Sequence, residues 1–422
     1  MKRTQLTENA ADAGDARDRL RLAVADAVEA RQDRLVKLRR RIHATPEPSG
    51  EELQTTSLVA EILRESGLHP QVMAGGVGVI ADLDLGAPSD THVALRSELD
   101  CVVVNDDKQT PYASTRPGLC HACGHDAHST ILLSVAAVLS EVRDRMSALD
   151  LKHNVRFVFQ PAEETATGAR SMIQQGALAG VEAILALHVD PFLESGRIGL
   201  RTGPITSACK IFRATLRGRS GHSARPHQAV DPIPAATNLV SLFYQLAPRS
   251  IDMRHPLALT VTSIQTGASY NAIPDQAVIG GTVRAAYLDD LNAVQRRMDA
   301  VVKGVREATG CEIELEYLHS SPATDNDPLV VEAVASAAGE MLGQEGVQWL
   351  PLPSLGGEDF AFYQELIPGA MMRLGAAVPE VRARRPLHSS LFDIDESSLA
   401  VGAKVLGWSA LKLAATAARQ RA

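Results

Sequence analysis

The ten residues Leu119-Cys120-His121-Ala122-Cys123-Gly124-His125-Asp126-Ala127-His128 carry two thiols, three imidazoles and a carboxylate. A cysteine or histidine on its own is ordinarily a packing or surface residue. Gathered this densely, they are the side chains that hold borderline transition metals, as thiolate and neutral imidazole. Cys123 and His125 flank Gly124, and a glycine in a tight turn would let both side chains enter one pocket. A metal site is therefore expected here, and two ligands from one loop do not complete it. Three other segments offer more. Phe159-Gln160-Pro161-Ala162-Glu163-Glu164 puts adjacent carboxylates after an apolar run, Ala186-Leu187-His188-Val189-Asp190 puts a histidine after another, and Pro386-Leu387-His388-Ser389-Ser390 lies near the C-terminus. Functional groups in open α/β sheets collect beyond the carboxyl ends of strands, which suits the first two segments.

Regular elements must bring these segments together. Leu20, Val24, Val28, Leu35, Leu38 and Ile42 recur at helical spacing, predicting one amphipathic helix over 16–42 behind a polar, frayed stretch at 1–15. A second helix is expected over 51–66, stopped by Gly67. Strands follow over 77–83 and 92–99, then a helix over 127–142 with Asp126 as its N-cap. Strands near 155–160 and 183–189 flank a helix at 166–176. Alternating strands and helices predict an α/β domain with a largely parallel sheet. Between 205 and 317 the order becomes βαββαβ, a ferredoxin-like arrangement, read as an inserted domain. Helices near 328–342, 358–366 and 396–418 resume the first pattern. The catalytic domain is thus expected to be discontinuous, 1–204 and 318–422, around an insert at 205–317.

A length of 422 residues allows two cores, and 45% hydrophobic with 22% charged residues is ordinary globular composition. A net charge of −8 argues against a nucleic-acid partner. Five cysteines without framework spacing point to a reducing, cytoplasmic location, with Cys101, Cys209 and Cys311 as core residues. No apolar run approaches a membrane span and no secretory leader is visible.

The ordered motifs Leu38-Arg39-Arg40-Arg41-Ile42-His43 with Pro46-Glu47, His121 to Asp126, Gln160 to Glu164, Gly221-His222-Ser223-Ala224-Arg225-Pro226-His227, Asn271-Ala272-Ile273-Pro274, Gly281-Thr282-Val283-Arg284, Gly357-Glu358-Asp359-Phe360 and His388 span about 35–406. Together they resemble the metal-dependent aminoacylase and carboxypeptidase family, in the branch of hippurate hydrolases, N-acyl-amino-acid amidohydrolases and auxin-conjugate hydrolases. The resemblance implies two divalent ions per subunit, Zn or Mn first and Co or Ni next, held by Cys123, His125, Glu164, His188 and His388. Glu163, adjacent to a ligand but not itself needed as one, suits a general base. The resemblance also makes the insert a lid and dimerisation domain, with His222 polarising the scissile group and Asn271 and Arg284 holding a substrate carboxylate. A homodimer or higher homo-oligomer acting on a small carboxylate-bearing molecule is implied. Distant relatives have a metal-binding histidine where this chain has Glu98, and His125 replaces it. Asp100 would then orient a ligand imidazole, and His121, Asp126 and His128 would support ligands without binding the ions.

Three functions follow. The first is hydrolysis of the amide in N-acyl or N-aroyl amino acids. The second uses the same centre to release ammonia from an amino-aromatic acid, and is kept open because Cys101-Val102-Val103-Val104 followed by Asn105-Asp106-Asp107-Lys108 departs from the branch near the metals. The third is a non-catalytic binding protein, against which an intact Glu163 speaks.

Overall fold

The computed structural model describes residues 2–416, which fall into two compact units. The first comprises Met1–Gly203, Asn326–Leu350 and Phe362–Ala422, and the second Pro204–Asp325 with Pro351–Ala361.

The first unit is built on an eight-stranded mixed sheet. At its centre Asn154–Gln160, His92–Glu98, Val181–Glu194 and Gly369–Ala377 lie side by side and parallel. Antiparallel pairings flank them, Val79–Leu83 on Asn154–Gln160 and Ile198–Leu200 on Gly369–Ala377. The expected parallel sheet is thus its core, with antiparallel margins. Every residue of His92–Glu98 and Asn154–Gln160 is buried, as in a sheet covered on both faces. The helices His125–Glu141, Pro328–Leu342 and Ser398–Ala414 pack with Lys2–Glu29 around this core, burying Leu20, Val24, Ile131, Val334, Leu406 and Trp408.

Several expectations change. The helix foreseen over 16–42 is two, Lys2–Glu29 and Gln32–Ala44, and the first already runs through the stretch foreseen as frayed. No glycine or proline marks the break. Instead, Arg31 donates its guanidinium to Ala27 O at 2.7 Å, and the Gln32 amide reaches Glu396 O at 3.0 Å, so side-chain contacts replace the helical bonds. The strand Gly369–Ala377 was not foreseen: Gly-Ala-Met-Met-Arg-Leu-Gly-Ala-Ala has neither β-branched residues nor alternation. The helix foreseen at 358–366 shrinks to Ala361–Gln364, and the last helix is Ser398–Ala414, with 417 and 418 outside the described residues. Asp126 is not an N-cap. Gly124 takes that place at φ +89°, and Asp126 lies inside the first turn.

Asp126 instead anchors a buried charge network. Its Oδ2 accepts from Arg39 Nε and His43 Nδ1, both at 2.7 Å. His43 Nε2 lies 3.2 Å from Asp106 Oδ2, and Lys108 Nζ lies 2.8 Å from Asp106 Oδ1. Arg39 also pairs with Asp393 at 3.0 Å. The helix Gln32–Ala44, the loop after Asp100 and the approach to the last helix are tied to the start of His125–Glu141 by these contacts.

In the second unit, Ala208–Arg217, Leu257–Thr266, Gln276–Ala285 and Glu312–Ser321 form an antiparallel sheet with Gln276–Ala285 and Ala208–Arg217 central. Pro232–Leu246 and Leu288–Thr309 complete the βαββαβ order and bury alternate residues such as Ala277, Ile279 and Val283. Asp231 caps the first of these helices by accepting from Ile233 N at 2.9 Å.

Burial opposes a charge on His43, but the Asp126 and Asp106 carboxylates push its pKa up to about 10 from 6.5. A base raised on folding contributes stability that is full below the unfolded value and lost as pH rises through the folded one. The melting temperature of the metal-free protein should therefore fall between pH 7 and 9, and His43→Gln should flatten that dependence. An equal decline in the variant would contradict the ion-paired state of His43.

Candidate metal centre

Gly124 decides how the cysteine-histidine loop is shaped. At φ +89° it sits in the left-handed region, and a Cβ there would come 2.3 Å from Val189 Cγ2. The turn sends Cys123 and His125 toward the same space as the sheet-borne candidates. Ligand-capable atoms of Cys123, His125 and His188 lie within 4.8 Å of one another, as do those of Cys123, Glu164 and His388, and of His125, Glu163 and Glu164. Cys123 Sγ is 3.5 Å from His188 Nε2, and Glu164 Oε1 is 3.5 Å from His388 Nε2 and 3.9 Å from His125 Nε2. The structure thus brings together all five candidate ligands, with Glu163 Oε2 3.9 Å from His125 Nε2.

The imidazoles are presented with their lone pairs inward. His125 Nδ1 lies 2.9 Å from Asp100 O, an atom that only accepts, so Nδ1 carries a proton and Nε2 is the nitrogen left to ligate. His188 repeats the arrangement through Val189 O at 2.8 Å. Asp100 Oδ2 also accepts from Ser49 Oγ at 2.7 Å and Glu164 N at 2.9 Å, fixing both histidine and glutamate.

Other clusters have ligand-like spacing, among them His43-Asp106-Cys120 and Glu98-His125-His128. Their own histidines are already engaged: both ring nitrogens of His43 face carboxylates, and His128 bonds Glu98 through Nδ1 and Val189 N through Nε2. At the five-residue cluster, by contrast, His125 Nε2 and Glu164 Oε1 are buried without a hydrogen-bond partner among the described residues. Buried polar atoms without partners are costly, and a cation would satisfy both. Burial pushes the Cys123 thiol well above its usual range, so a thiolate there needs a neighbouring cation. Burial and Arg373 hold His188 well below its usual value, leaving it neutral and fit to ligate. The donor set fits a borderline transition metal.

Backbone strain is concentrated here. Among the described residues the non-glycine positions of positive φ are Ala162 (55°), Ala166 (52°) and His388 (66°). The first two bracket Glu163 and Glu164, and the third is a candidate ligand. Glu52, which the sequence reading passed over, holds Ala162 N at 2.8 Å. Burial pushes its carboxyl up to about 6, against the pull of Gly50 and Ala162 amides. His388 N donates to Ala122 O at 2.8 Å, which ties that distant loop to the cysteine-histidine turn. Strain persists only where surroundings over-determine it.

In the loop after Asp100 two of the three charged side chains turn inward, and Asp107 is exposed. The Asp106 and Lys108 side chains are buried, facing His43 and Cys120. Asp126 was expected to support the ligands; Ser49, Glu52 and its partners Arg39 and His43 were the supports missed. Their signal was the Arg39 to His43 motif with Pro46-Glu47, to which no role had been given.

The second unit carries the remaining candidates. His222 is exposed on a short strand paired with Ala272–Ile273, beside Asn271, whose carbonyl accepts from Ser223 N at 3.1 Å. His222 Nδ1 accepts from Ala224 N at 3.1 Å, so the proton sits on Nε2. Arg284 lies near the end of its strand, opposite Cys209, with one nitrogen donating to Leu355 O at 3.0 Å.

A family model described as Peptidase family M20/M25/M40 matches residues 94–411. N-acetylcysteine deacetylase of Bacillus subtilis (strain 168) is 35% identical over 375 residues, covering 88% of this chain and 94% of its own. IAA-amino acid hydrolase ILR1-like 4 of Arabidopsis thaliana is 34% identical over 384 residues, covering 88% and 84%. The YXEP protein of Bacillus subtilis, described as a dinuclear metal binding peptidase from the M20 family, is 33% identical and superposes with a TM-score of 0.79 over 92% of this chain and 99% of its own. With a matching model over most of its length and relatives above 30% identity, this chain belongs to peptidase family M20/M25/M40 and is a metal-dependent hydrolase.

Proposed function

We propose that the chain hydrolyses the amide bond of N-acyl or N-aroyl amino acids, releasing a carboxylic acid and a free amino acid. Two divalent ions would be held by Cys123, His125, Glu164, His188 and His388. Zn²⁺ or Mn²⁺ suits one thiolate, three imidazoles and a carboxylate, and Co²⁺ or Ni²⁺ is also compatible. The observation that carries this reading is the pair of buried ligand-capable atoms, His125 Nε2 and Glu164 Oε1, left without hydrogen-bond partners among the described residues beside the oriented His188 ring. Relatives named for N-acetylcysteine deacetylation and IAA-amino acid hydrolysis support the substrate class.

When bound, such ions supply a water of lowered pKa and a positive partner for the charge that develops on the attacked carbonyl oxygen. Glu163 takes the proton of that water and passes it to the leaving nitrogen, so one carboxylate serves both transfers. His222, protonated at Nε2, is able to donate to the scissile carbonyl. Arg284, with Asn271, binds the substrate carboxylate, since a guanidinium fork matches that group's two oxygens. A homo-oligomer and a cytoplasmic location accompany this reading. Release of ammonia from an amino-aromatic acid rests on the departure of the loop after Asp100, of which Asp106 and Lys108 are buried beside His43.

Glu163→Gln should retain its metals and lose on the order of 10²–10⁴-fold in turnover, because the base goes and the ligands stay. Elemental analysis beside a rate assay on N-acyl amino acids tests this, and near-normal turnover at full metal content would refute the assignment. Mass spectrometry of the products should show free amino acid and organic acid; ammonia with a hydroxylated ring would replace the proposal by deamination. In Arg284→Ala, kcat/KM for carboxylate-bearing substrates should fall by about 1.5–3 kcal/mol, the scale of a charge-assisted hydrogen bond, with neutral analogues nearly unaffected. Equal losses for charged and neutral substrates would remove the carboxylate contact.

A further inference from the structure

Val181–Glu194 outruns one of its neighbours. Its ladder with His92–Glu98 ends at Arg96 opposite Ala186, whereas its pairing with Gly369–Ala377 continues past His188. A strand that extends past its partner leaves main-chain N–H groups needing acceptors, and a buried N–H left unpaired is costly. Val189 N finds its acceptor in His128 Nε2 at 3.0 Å. His128 can accept there only if its proton sits on Nδ1, and Nδ1 lies 2.8 Å from Glu98 Oε2. Glu98 is itself fully buried and paired with Arg96, so it stays an acceptor.

The other side of the same residue orients a candidate ligand. Val189 O accepts from His188 Nδ1 at 2.8 Å, which leaves His188 Nε2 facing Cys123 Sγ at 3.5 Å. Val189 Cγ2 meanwhile fills the space a Cβ on Gly124 would need. One residue thus meets His128 through its N–H, His188 through its carbonyl and the Gly124 turn through its side chain. His128 stands one helical turn from His125, with its ring centroid 4.8 Å from that of His188.

We infer that His128, held in one tautomer by Glu98 and Arg96, is the positioning residue that fixes Val189 and thereby sets the tautomer and aim of His188. The role of His188 as a ligand rests on the proposed function; its dependence on His128 does not. Two near-isosteric variants separate the two bonds of the His128 ring. His128→Gln places an amide oxygen near the Nε2 position and preserves the acceptor for Val189 N, whereas His128→Asn places an amide nitrogen near Nδ1 and preserves only the bond to Glu98.

The test uses the full-length chain labelled with ¹⁵N-histidine, metal-free and then titrated with Zn²⁺. In the wild type and in His128→Gln, His188 should be the Nδ1–H tautomer, and Zn²⁺ affinity should agree within about threefold. In His128→Asn, His188 should populate both tautomers and Zn²⁺ affinity should fall by about 10–100-fold, the range for loss of a group that orients a ligand. A wild-type His188 protonated at Nε2 would overturn the inference without any variant, as would equal behaviour of the two variants at similar melting temperature. A His188 tautomer that follows His128 but ignores added Zn²⁺ would sustain the positioning role and count against the metal centre itself.

Discussion

Asp100 is a fully buried carboxylate at the end of a central strand, and the candidate centre is assembled around what it accepts. His125 Nδ1 approaches both its carbonyl and its Oδ1, while Ser49 and the Glu164 amide share its Oδ2. Burial opposes its ionisation, yet the bond from His125, with those from Ser49 and Glu164, holds it below the usual carboxylate range. A buried charge is tolerated only when hydrogen bonds replace its hydration. Here the replacement groups are the ones that aim two candidate ligands, so satisfying the carboxylate and shaping the site are one process.

The surrounding network extends the same logic outward. Asp126 is held well below its usual range, burial notwithstanding, by Arg39 and His43. Breaking one partner of such a set leaves an uncompensated charge, which costs more than the intact set contributes. That asymmetry makes the network a device for geometry: it fixes where the helix His125–Glu141 begins and so where the turn at Gly124 lies. The positive-φ backbone at Ala162 and His388 is tolerable for the same reason, since Glu52 and the Ala122 carbonyl hold those residues from outside.

Much of this was legible in the residues. The density of Cys and His at 120–128 announced a metal site, and apolar runs ending at Glu163 and His188 singled out two further contributions, although His188 lies within Val181–Glu194, past its ladder with His92–Glu98, and not at that strand's end. The βαββαβ order between 205 and 317 was read from the succession of strand and helix patterns, and the structure has it, with alternate residues of Gln276–Ala285 buried and Asp231 capping a helix. What escaped lacked a local signal. Gly369–Ala377 is a central strand made of small and flexible residues, and only pairing on both edges makes it one. The helix break at Ala30 and Arg31 is decided by contacts with Ala27 and Glu396. Asp126 looked like a cap because its type and place fit one. Its actual partners, Arg39 and His43, come from a helix more than eighty residues earlier.

The central claim is that five side chains from four separated segments of the chain converge to hold two ions. Metal titration of the full-length protein, followed by elemental analysis after dialysis, tests this most directly. Two ions per wild-type chain are expected, with fewer in each of Cys123→Ala, His188→Ala and His388→Ala. Retention of two ions by any of these variants would contradict that residue's place in the centre, and a wild type that binds none would contradict the centre as a whole.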